Sequence, residues 1–277
     1  MIIDAHTHIF PPRVLANRER FLEGEPFFAG IYSDPKAPLV DAQGLIRAMD
    51  ADAVDISWAL GFPWVRAENA RMHNDYLAQA QAESSGRLRG LACVHPPADW
   101  AQAEAERALG LGLSGLGELA FYDSDLDLDA LAPLCALCAE AEAPLLLHTN
   151  EPVGHKYPGK APMTLAALYA LVRRHPETKL VLAHMAGGLF FYSLLKKEVS
   201  QALRNVWIDT AAAPFLYQPR AYGLAVELLG ADKVLLGSDY PLLPVSRYQR
   251  EMQDPRADLS DQDLGMVMGR AALELIP

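Results

Sequence analysis

One stretch of the chain decides the fold: PLLLHT at residues 144–149, MTLAALYALVRR at 163–174 and KLVLAH at 179–184. The first and third runs are short and apolar, as in buried strands, and the middle run is typical of an amphipathic helix. A strand, a helix and a further strand in this order build a parallel sheet. The stretch therefore predicts one strand–helix–strand unit.

The same alternation extends from this unit toward both ends of the 277-residue chain. Strands are predicted at 2–8, 53–60, 88–94, 114–120, 144–149, 179–184, 205–210 and 233–238. Helices are predicted at 40–50, 69–85, 100–109, 128–142, 163–174, 190–202, 217–229 and 260–275. Eight such units, at a length near the roughly 250 residues of a typical barrel, predict an α/β fold: a (βα)8 TIM barrel with its active site at the carboxyl ends of the strands.

A doubly wound open sheet is the alternative, because residues 110–115 read GLGLSG and match a dinucleotide-binding fingerprint. The match follows a predicted helix and precedes a predicted strand. That order is the reverse of the one that places a helix N-terminus on a pyrophosphate. We therefore interpret these glycines as a turn and retain the barrel.

Composition narrows the class of protein. With 51% hydrophobic residues and no linker-like tract, residues 1–277 are expected to form one domain. The formal net charge of -11 disfavours a nucleic-acid partner. The chain has no leader-like start and no apolar run near the roughly 18 residues of a membrane span, so we expect a cytoplasmic protein without membrane association. Homo-oligomerisation stays open.

The three cysteines do not suggest a disulfide framework. Cys135 and Cys138 form a Cys-x-x-Cys, which could serve redox or zinc chemistry. Together with Leu131 and Leu134 they have the spacing of the buried stripe of a helix. Packing in the core is the preferred interpretation.

Polar side chains end several of the predicted strands, at the mouth of the expected barrel. His6 and His8 are two residues apart on the first strand, so both point to the same side. His148, His184 and Asp239 each end an apolar run on strands five, six and eight. Five such positions at one end of a barrel predict a site for a divalent metal ion.

The motifs DAHTH at 4–8, AHMAGG at 183–188 and GSDYP at 237–241, together with His148, resemble those of the amidohydrolase superfamily. The GSDYP form resembles the branch that contains aminocarboxymuconate semialdehyde decarboxylase and related hydrolases. The resemblance spans nearly the whole chain. It implies a metal-dependent enzyme but does not name the reaction, because one fold hosts many chemistries.

By this resemblance His6, His8, His148 and Asp239 would bind one zinc ion, with His184 beside it as an acid/base. Zinc suits mixed imidazole and carboxylate ligands and would activate a bound water. Asp239 would then accept and pass on the proton, and His184 would polarise the carbonyl or protonate the leaving group. Asp239 and His184 are therefore the candidate catalytic residues.

Glu118 adds a question about the number of ions. It follows Gly117 near the end of strand four, where binuclear members of the superfamily place a bridging carboxylate or a modified lysine. The Gly-Glu pair also resembles their metal-dependent DNases. The alternative is a carboxylate that orients a ligand histidine. One or two divalent ions, zinc above all, are therefore expected, and His184 joins the candidate ligands.

Candidate substrate-binding residues lie at or beyond strand ends: Trp58, His95, Tyr122, His155, Lys156 and Tyr240. His155 and Lys156, with Lys160, would form a cationic rim that attracts a carboxylate or phosphate on the substrate. A solvated loop and simple packing are the alternatives. Residues 9–38 are too long for a plain turn and are expected to cover the site.

These observations leave four hypotheses for function. The leading one is hydrolysis of an amide, a lactone or another small carbonyl compound by metal-activated water. The others are a metal-dependent non-oxidative decarboxylase, a binuclear phosphodiesterase or DNase, and a ligand-binding barrel without catalysis. The expected partner is a small molecule, and an anionic one is among the candidates.

Overall fold

The computed structural model describes residues 1–122, 125–195 and 197–276. Eight parallel strands pair in chain order in one sheet. They are β1 (Ile3–His8), β2 (Ile56–Leu60), β3 (Leu88–Ala92), β4 (Gly115–Leu119), β5 (Pro144–Leu147), β6 (Lys179–Leu182), β7 (Val206–Asp209) and β8 (Val234–Leu235). The sheet alternates with helices around it, so the predicted (βα)8 TIM barrel is confirmed.

The segment after β8 returns to β1 and brings the two ends of the sheet together. The backbone N–H of Ala5 donates to Leu236 O at 2.7 Å, and that of Asp239 donates to His6 O at 2.9 Å. These bonds fix Asp239 at the same level of the barrel as the His-x-His motif. Strand β8 is shorter than the predicted 233–238 because Leu236 N donates to Val267 O, outside the sheet.

The helices surround the sheet, and several begin at a polar cap. Asp41, Asp127 and Thr164 each accept a backbone N–H of the first turn of the helix that follows. The helices are α1 (Pro12–Ala16), α2 (Arg18–Leu22), α3 (Pro26–Tyr32), α4 (Ala42–Ala51), α5 (Ala67–Glu83), α6 (Ala101–Gly110), α7 (Leu128–Glu140), α8 (Leu165–Arg174), α9 (Lys197–Ala202), α10 (Ala213–Leu216), α11 (Arg220–Leu229), α12 (Val245–Met252), α13 (Asp261–Gly265) and α14 (Ala271–Leu273).

Two predicted helices are interrupted. In place of a helix at 190–202, a 3-10 segment spans His184–Leu194 and α9 follows it. The final helix contains a π-turn at Met266–Arg270 between α13 and α14. Residues 110–115 connect α6 to β4 as predicted, and Cys135 and Cys138 are free, fully buried side chains of α7.

The barrel interior is a packed apolar core. Its buried side chains come from the strands and from the C-terminal segment: Ile3, Ala5, Trp58, Leu60, Leu91, Leu146, Val181, Ala183, Leu235, Ala271, Ala272 and Leu275. Polar side chains are therefore concentrated at the carboxyl ends of the strands, which is where a barrel enzyme binds its substrate. Among the described helices, none is long and apolar enough to cross a bilayer.

His73 on α5 is a buried histidine that joins the helix layer to the end of β1. Its Nδ1 accepts from Trp64 Nε1 at 2.9 Å, and its Nε2 donates to Ile9 O at 2.7 Å. Only the neutral ring, with its proton on Nε2, can accept from Trp64 and donate to Ile9 at the same time. Burial lowers the pKa of His73 to about 4, against the opposing effect of the Ile9 carbonyl.

We expect His73 to make the metal-stripped protein sensitive to acid. Between pH 6.5 and 4 the unfolded chain binds a proton at His73 that the folded chain does not, so stability falls as the pH falls through this window. The loss should reach about 3 kcal/mol. Urea unfolding at pH 7 and 4.5 measures it. His73→Gln keeps a donor and an acceptor but cannot titrate, and an unchanged pH dependence in that variant would contradict the assignment.

Candidate active site

Four side chains from three parts of the barrel converge at its mouth and form what we call the quartet: His6, His8, Glu118 and Asp239. His6 Nε2 and His8 Nε2 are 3.2 Å apart. Asp239 Oδ1 lies 3.6 Å from His6 Nε2 and 3.4 Å from His8 Nε2. Glu118 Oε2 lies 3.7 Å from His6 Nε2 and 3.5 Å from His8 Nε2.

The quartet fits a divalent metal ion. Four ligands at zinc-like bond lengths around a tetrahedral ion are separated by about 3.3–3.6 Å. The five nitrogen and oxygen separations within the quartet run from 3.2 to 3.7 Å. Two imidazoles and two carboxylates form a donor set that zinc, manganese and iron all accept. The residues of the quartet could therefore hold one ion between them.

The second oxygen of Glu118 contacts two further histidines. Oε1 lies 2.9 Å from His148 Nδ1 and 3.3 Å from His184 Nε2. The two rings also meet, with 3.2 Å between His184 Nε2 and His148 Nδ1. Where the resemblance expects His148 among the ligands, the structure places Glu118 in the quartet and His148 on its other oxygen. Glu118 therefore has its Oε2 in the quartet and its Oε1 against His148 and His184, which we call the histidine pair.

A buried ring nitrogen marks the histidine pair as a place for a ligand. When His148 Nδ1 donates to Glu118, its Nε2 carries a lone pair. Within the described ranges, His148 Nε2 is buried and has no hydrogen-bond partner. A buried nitrogen in this state is rare unless an ion, a water or a substrate satisfies it.

The charges of the site favour a cation. Burial raises the pKa of Glu118, but His148 and His6 outweigh burial and lower that pKa well below its usual range. Burial likewise raises the pKa of Asp239, and the hydrogen bond from His8 and the charge of His6 bring it down to about 2. Both carboxylates are therefore ionised at neutral pH, which is the form that binds a metal.

The chain adopts a strained turn to place His184. Residues 184–188 all have left-handed backbone conformations, with φ of 57°, 58°, 50°, 57° and 91°. His184, Met185 and Ala186 are not glycines, so each costs roughly 1–2 kcal/mol. A Cβ on Gly187 would lie 2.3 Å from Asn150 O, so only glycine fits there. Left-handed residues in this number are typical of a functional site.

An aromatic wall of Phe27, His95 and Tyr122 stands beside the histidine pair. The Tyr122 ring lies 5.2 Å from the His148 ring and 5.8 Å from the Phe27 ring. Phe27 in turn lies 5.3 Å from His95. Helix α3 supplies Phe27, so the segment at 9–38 reaches the site. Of the candidate substrate-binding residues, His95 and Tyr122 belong to this wall.

The other four candidates are not part of this aromatic wall. Trp58 is fully buried in the barrel core. Tyr240 has Arg47 and Asp52, near α4, as its charged neighbours. His155 and Lys156 are exposed on their loop.

Lys160, the third residue of the expected cationic rim, is already bonded to its own loop. Lys160 Nζ donates to Glu151 Oε1 and Val153 O, each at 2.8 Å, and to His155 O at 3.2 Å. These contacts use all three of its N–H groups. Lys160 is therefore held within its own loop.

Sequence reasoning missed Tyr32, Tyr157 and Asp209. Burial, and then the charges of Asp239 and Glu118, raises the pKa of Tyr32. Burial, then Glu151 and to a smaller extent Asp239, raises the pKa of Tyr157. Asp209 contacts His6 directly, with Oδ2 at 2.8 Å from Nδ1. The sequence pattern could have identified Asp209, because it follows the apolar residues of strand seven just as His148, His184 and Asp239 follow those of their strands.

Comparison with known proteins gives the family and its neighbours. A family model described as amidohydrolase matches residues 3–277. A curated relative, 2-amino-3-carboxymuconate-6-semialdehyde decarboxylase of Dictyostelium discoideum, is 23% identical, over 99% of this chain and 91% of the relative. The structure of 5-carboxyvanillate decarboxylase from Sphingomonas paucimobilis has a TM-score of 0.75 at 21% identity, over 99% of this chain and 98% of that one.

A second 5-carboxyvanillate decarboxylase, from Novosphingobium aromaticivorans, has a TM-score of 0.76 at 17% identity and covers 99% of this chain and 95% of that one. It was solved with manganese and 4-hydroxy-3-methoxy-5-nitrobenzoic acid. A divalent ion is thus found in a neighbour of the same fold, whereas zinc is not indicated by it.

The expected hydrolysis of an amide or lactone is wrong, because the curated relative and these structural neighbours are decarboxylases. The physical reason is that imidazole and carboxylate ligands around one ion serve both reactions, so the motifs do not separate them. The family match over residues 3–277 and the eight-stranded barrel both agree with the family that the motifs resemble. The chain belongs to the amidohydrolase family of enzymes.

Proposed function

We propose that the chain is a metal-dependent, non-oxidative decarboxylase. The observation that carries the proposal is the alignment with a decarboxylase over 99% of the chain, joined to a quartet that fits a divalent ion. The proposed substrate is a small aromatic or conjugated carboxylate with a hydroxyl or amino group beside its carboxylate. The names of the relative and of the structural neighbours support this class.

The quartet suits the oxygens of such a substrate, and the aromatic wall suits its ring. A divalent ion in the quartet would bind the substrate oxygens and stabilise the negative charge that develops when the carbon–carbon bond breaks. Phe27 and Tyr122 offer flat apolar faces for a planar ring. Burial, and then Glu118, raises the pKa of Tyr122 well above its usual range, so its hydroxyl stays a hydrogen-bond donor.

Asp239 is the proposed proton carrier. Its side chain is 19% exposed, against 0% for His6 and 6% for Glu118, so it is the carboxylate most open to a substrate. Asp239 is ionised in the resting site, so it first takes up a proton from solvent. The bond between the ring carbon and the carboxylate then breaks, carbon dioxide leaves, and Asp239 passes that proton to the ring carbon to form the new C–H bond. One proton is consumed for each carbon dioxide released.

His184 is proposed to assist Asp239 from the histidine pair. Its Nδ1 lies 3.1 Å from Ala211 O and donates to it, which leaves Nε2 facing Glu118. The ring is therefore oriented by two groups and faces the interior of the site. This arrangement suits a residue that moves a proton.

A substrate screen tests the proposal. The chain is loaded with manganese or zinc and incubated with benzoates that carry an ortho hydroxyl or amino group, and with lactones and amides as controls. We expect at least one benzoate to lose its carboxylate, and a chelator to abolish the activity until metal is restored. Turnover of a lactone or amide with no loss of carboxylate from any benzoate would overturn it.

A further inference from the structure

Asp209, the last residue of β7, is a fully buried carboxylate that contacts two histidines of the site at once. Its Oδ2 lies 2.8 Å from His6 Nδ1, and its Oδ1 accepts the backbone N–H of His184 at 2.9 Å. We propose that Asp209 is a positioning residue, which fixes the tautomer of His6 and the orientation of His184. The inference rests on the metal-dependent function proposed above.

The contact with His6 determines which ring nitrogen is free. An ionised carboxylate only accepts hydrogen bonds, so His6 Nδ1 must carry the proton that joins it to Asp209. In the neutral ring His6 Nε2 then has a lone pair, and this is the nitrogen that belongs to the quartet. A carboxylate behind a metal-binding histidine also raises the basicity of the ligand. Asp209 thus prepares His6 for an ion.

The contact with His184 works through the backbone. Asp209 Oδ1 also accepts the N–H of Ala211 at 3.0 Å, and Ala211 O accepts from His184 Nδ1 at 3.1 Å. His184 is therefore held at its N–H and at its ring by the same short segment. We call these three hydrogen bonds the Asp209 clasp. Because His184 begins the left-handed turn, the clasp fixes the orientation of its side chain.

Asp209 and Glu118 lie on opposite sides of the two imidazoles. His6 has Asp209 on Nδ1 and Glu118 near Nε2, and His184 has Glu118 near Nε2 and the Asp209 clasp on its backbone side. Each ring is thus held from both ends. Loss of Asp209 should release one end of both rings and leave the quartet otherwise complete.

Asp209→Asn is the decisive variant. The Asn oxygen can still accept the two backbone N–H groups, so the fold is supported. Its amide nitrogen would donate to His6 Nδ1, which favours the His6 proton on Nε2 and so weakens metal binding. We expect the dissociation constant for manganese to rise about 10- to 100-fold, the usual effect of losing a partner of a ligand histidine. Titration of the metal-stripped protein with manganese measures this constant without any substrate.

Asp4→Asn is the matched control. Asp4 is another buried carboxylate of β1, and in the described ranges its hydrogen bonds go to Ser238 and to the backbone N–H of His6, with none to an imidazole ring. We expect the Asp4→Asn variant to bind manganese within about threefold of the unaltered chain. A dissociation constant for Asp209→Asn within the same limit, in folded protein, would overturn the proposal. A decarboxylase assignment that fails would leave this binding result unaffected.

A measurement on the unaltered chain covers the case in which Asp209→Asn does not fold. Nitrogen-15 NMR of the zinc-loaded, histidine-labelled protein reports which nitrogen of each ring carries a proton. The His6 signal, identified by its absence in His6→Gln, should show a proton on Nδ1 in a strong hydrogen bond and none on Nε2. A His6 ring with an exchangeable, unbonded Nδ1 proton would contradict the role of Asp209.

Discussion

We expect Asp239→Asn to keep its metal ion and to lose turnover by at least about 100-fold, the usual worth of a proton-transferring side chain. Asparagine retains an oxygen for the ion and nearly the same shape, but its amide cannot carry the proton that replaces the carboxylate. Two histidines and Glu118 still hold the metal. Metal content and turnover must be measured on the same preparation.

The controls separate ligation from proton transfer. Asp239→Ala should lose both metal and turnover, because it removes the ligand as well. Asp129→Asn makes the same chemical change on an exposed carboxylate of α7, which pairs with Arg174 outside the site, and should leave both quantities unaltered. A fully metallated Asp239→Asn variant with near-normal turnover would remove Asp239 from the chemistry and leave His184 as the principal acid.

The second large effect concerns metal binding by His6. The quartet places His6 Nε2 within 3.2–3.7 Å of three other donor atoms, so His6→Ala removes its most buried ligand. Loss of a partner behind a ligand costs 10- to 100-fold in affinity, so loss of the ligand itself should cost more than about 100-fold. We expect dialysed His6→Ala to contain no metal and to have no turnover above background.

His175→Ala makes the same change at the end of α8, away from the quartet, and should retain its metal. A His6→Ala variant with one ion per chain after dialysis would contradict the quartet.

Glu118→Gln counts the ions. We expect one ion per chain in the unaltered protein and a weaker single site in the variant, because the amide keeps the shape and loses the charge. Two ions in the unaltered protein, with one remaining in Glu118→Gln, would instead show that Glu118 bridges a binuclear centre. Elemental analysis of protein purified without a chelator decides between these outcomes.

Most of the fold could be predicted because strands and helices have different periodicities. All eight strands were predicted, and each predicted end lies within three residues of the observed one. The exceptions have tertiary causes. The segment after β8 pairs with β1 instead of extending β8, and the turn at 184–188 takes a conformation that its non-glycine residues disfavour. Neither effect is visible in hydrophobic spacing.

The site could be predicted in part for a similar reason. A polar residue that ends an apolar strand faces the barrel mouth, which identified His6, His8, His148 and Asp239 as neighbours. Tyr240 follows Asp239 directly, but Asp239 has a left-handed φ of 58°, so the alternation of side chains in extended chain does not predict where Tyr240 points. Tyr32 was missed because helix α3 is positioned by long-range contacts, among them those of its rings with Phe10 and Phe62.

Release of the carboxylate as carbon dioxide is the most direct test of the proposed function. The metal-loaded chain is incubated in heavy water with the active benzoate from the screen, labelled with carbon-13 in its carboxylate. The account predicts that the label appears in carbon dioxide and bicarbonate, in equal amount to a product with one deuterium at the vacated ring carbon. Label that stays in an organic acid while the substrate is consumed would contradict it.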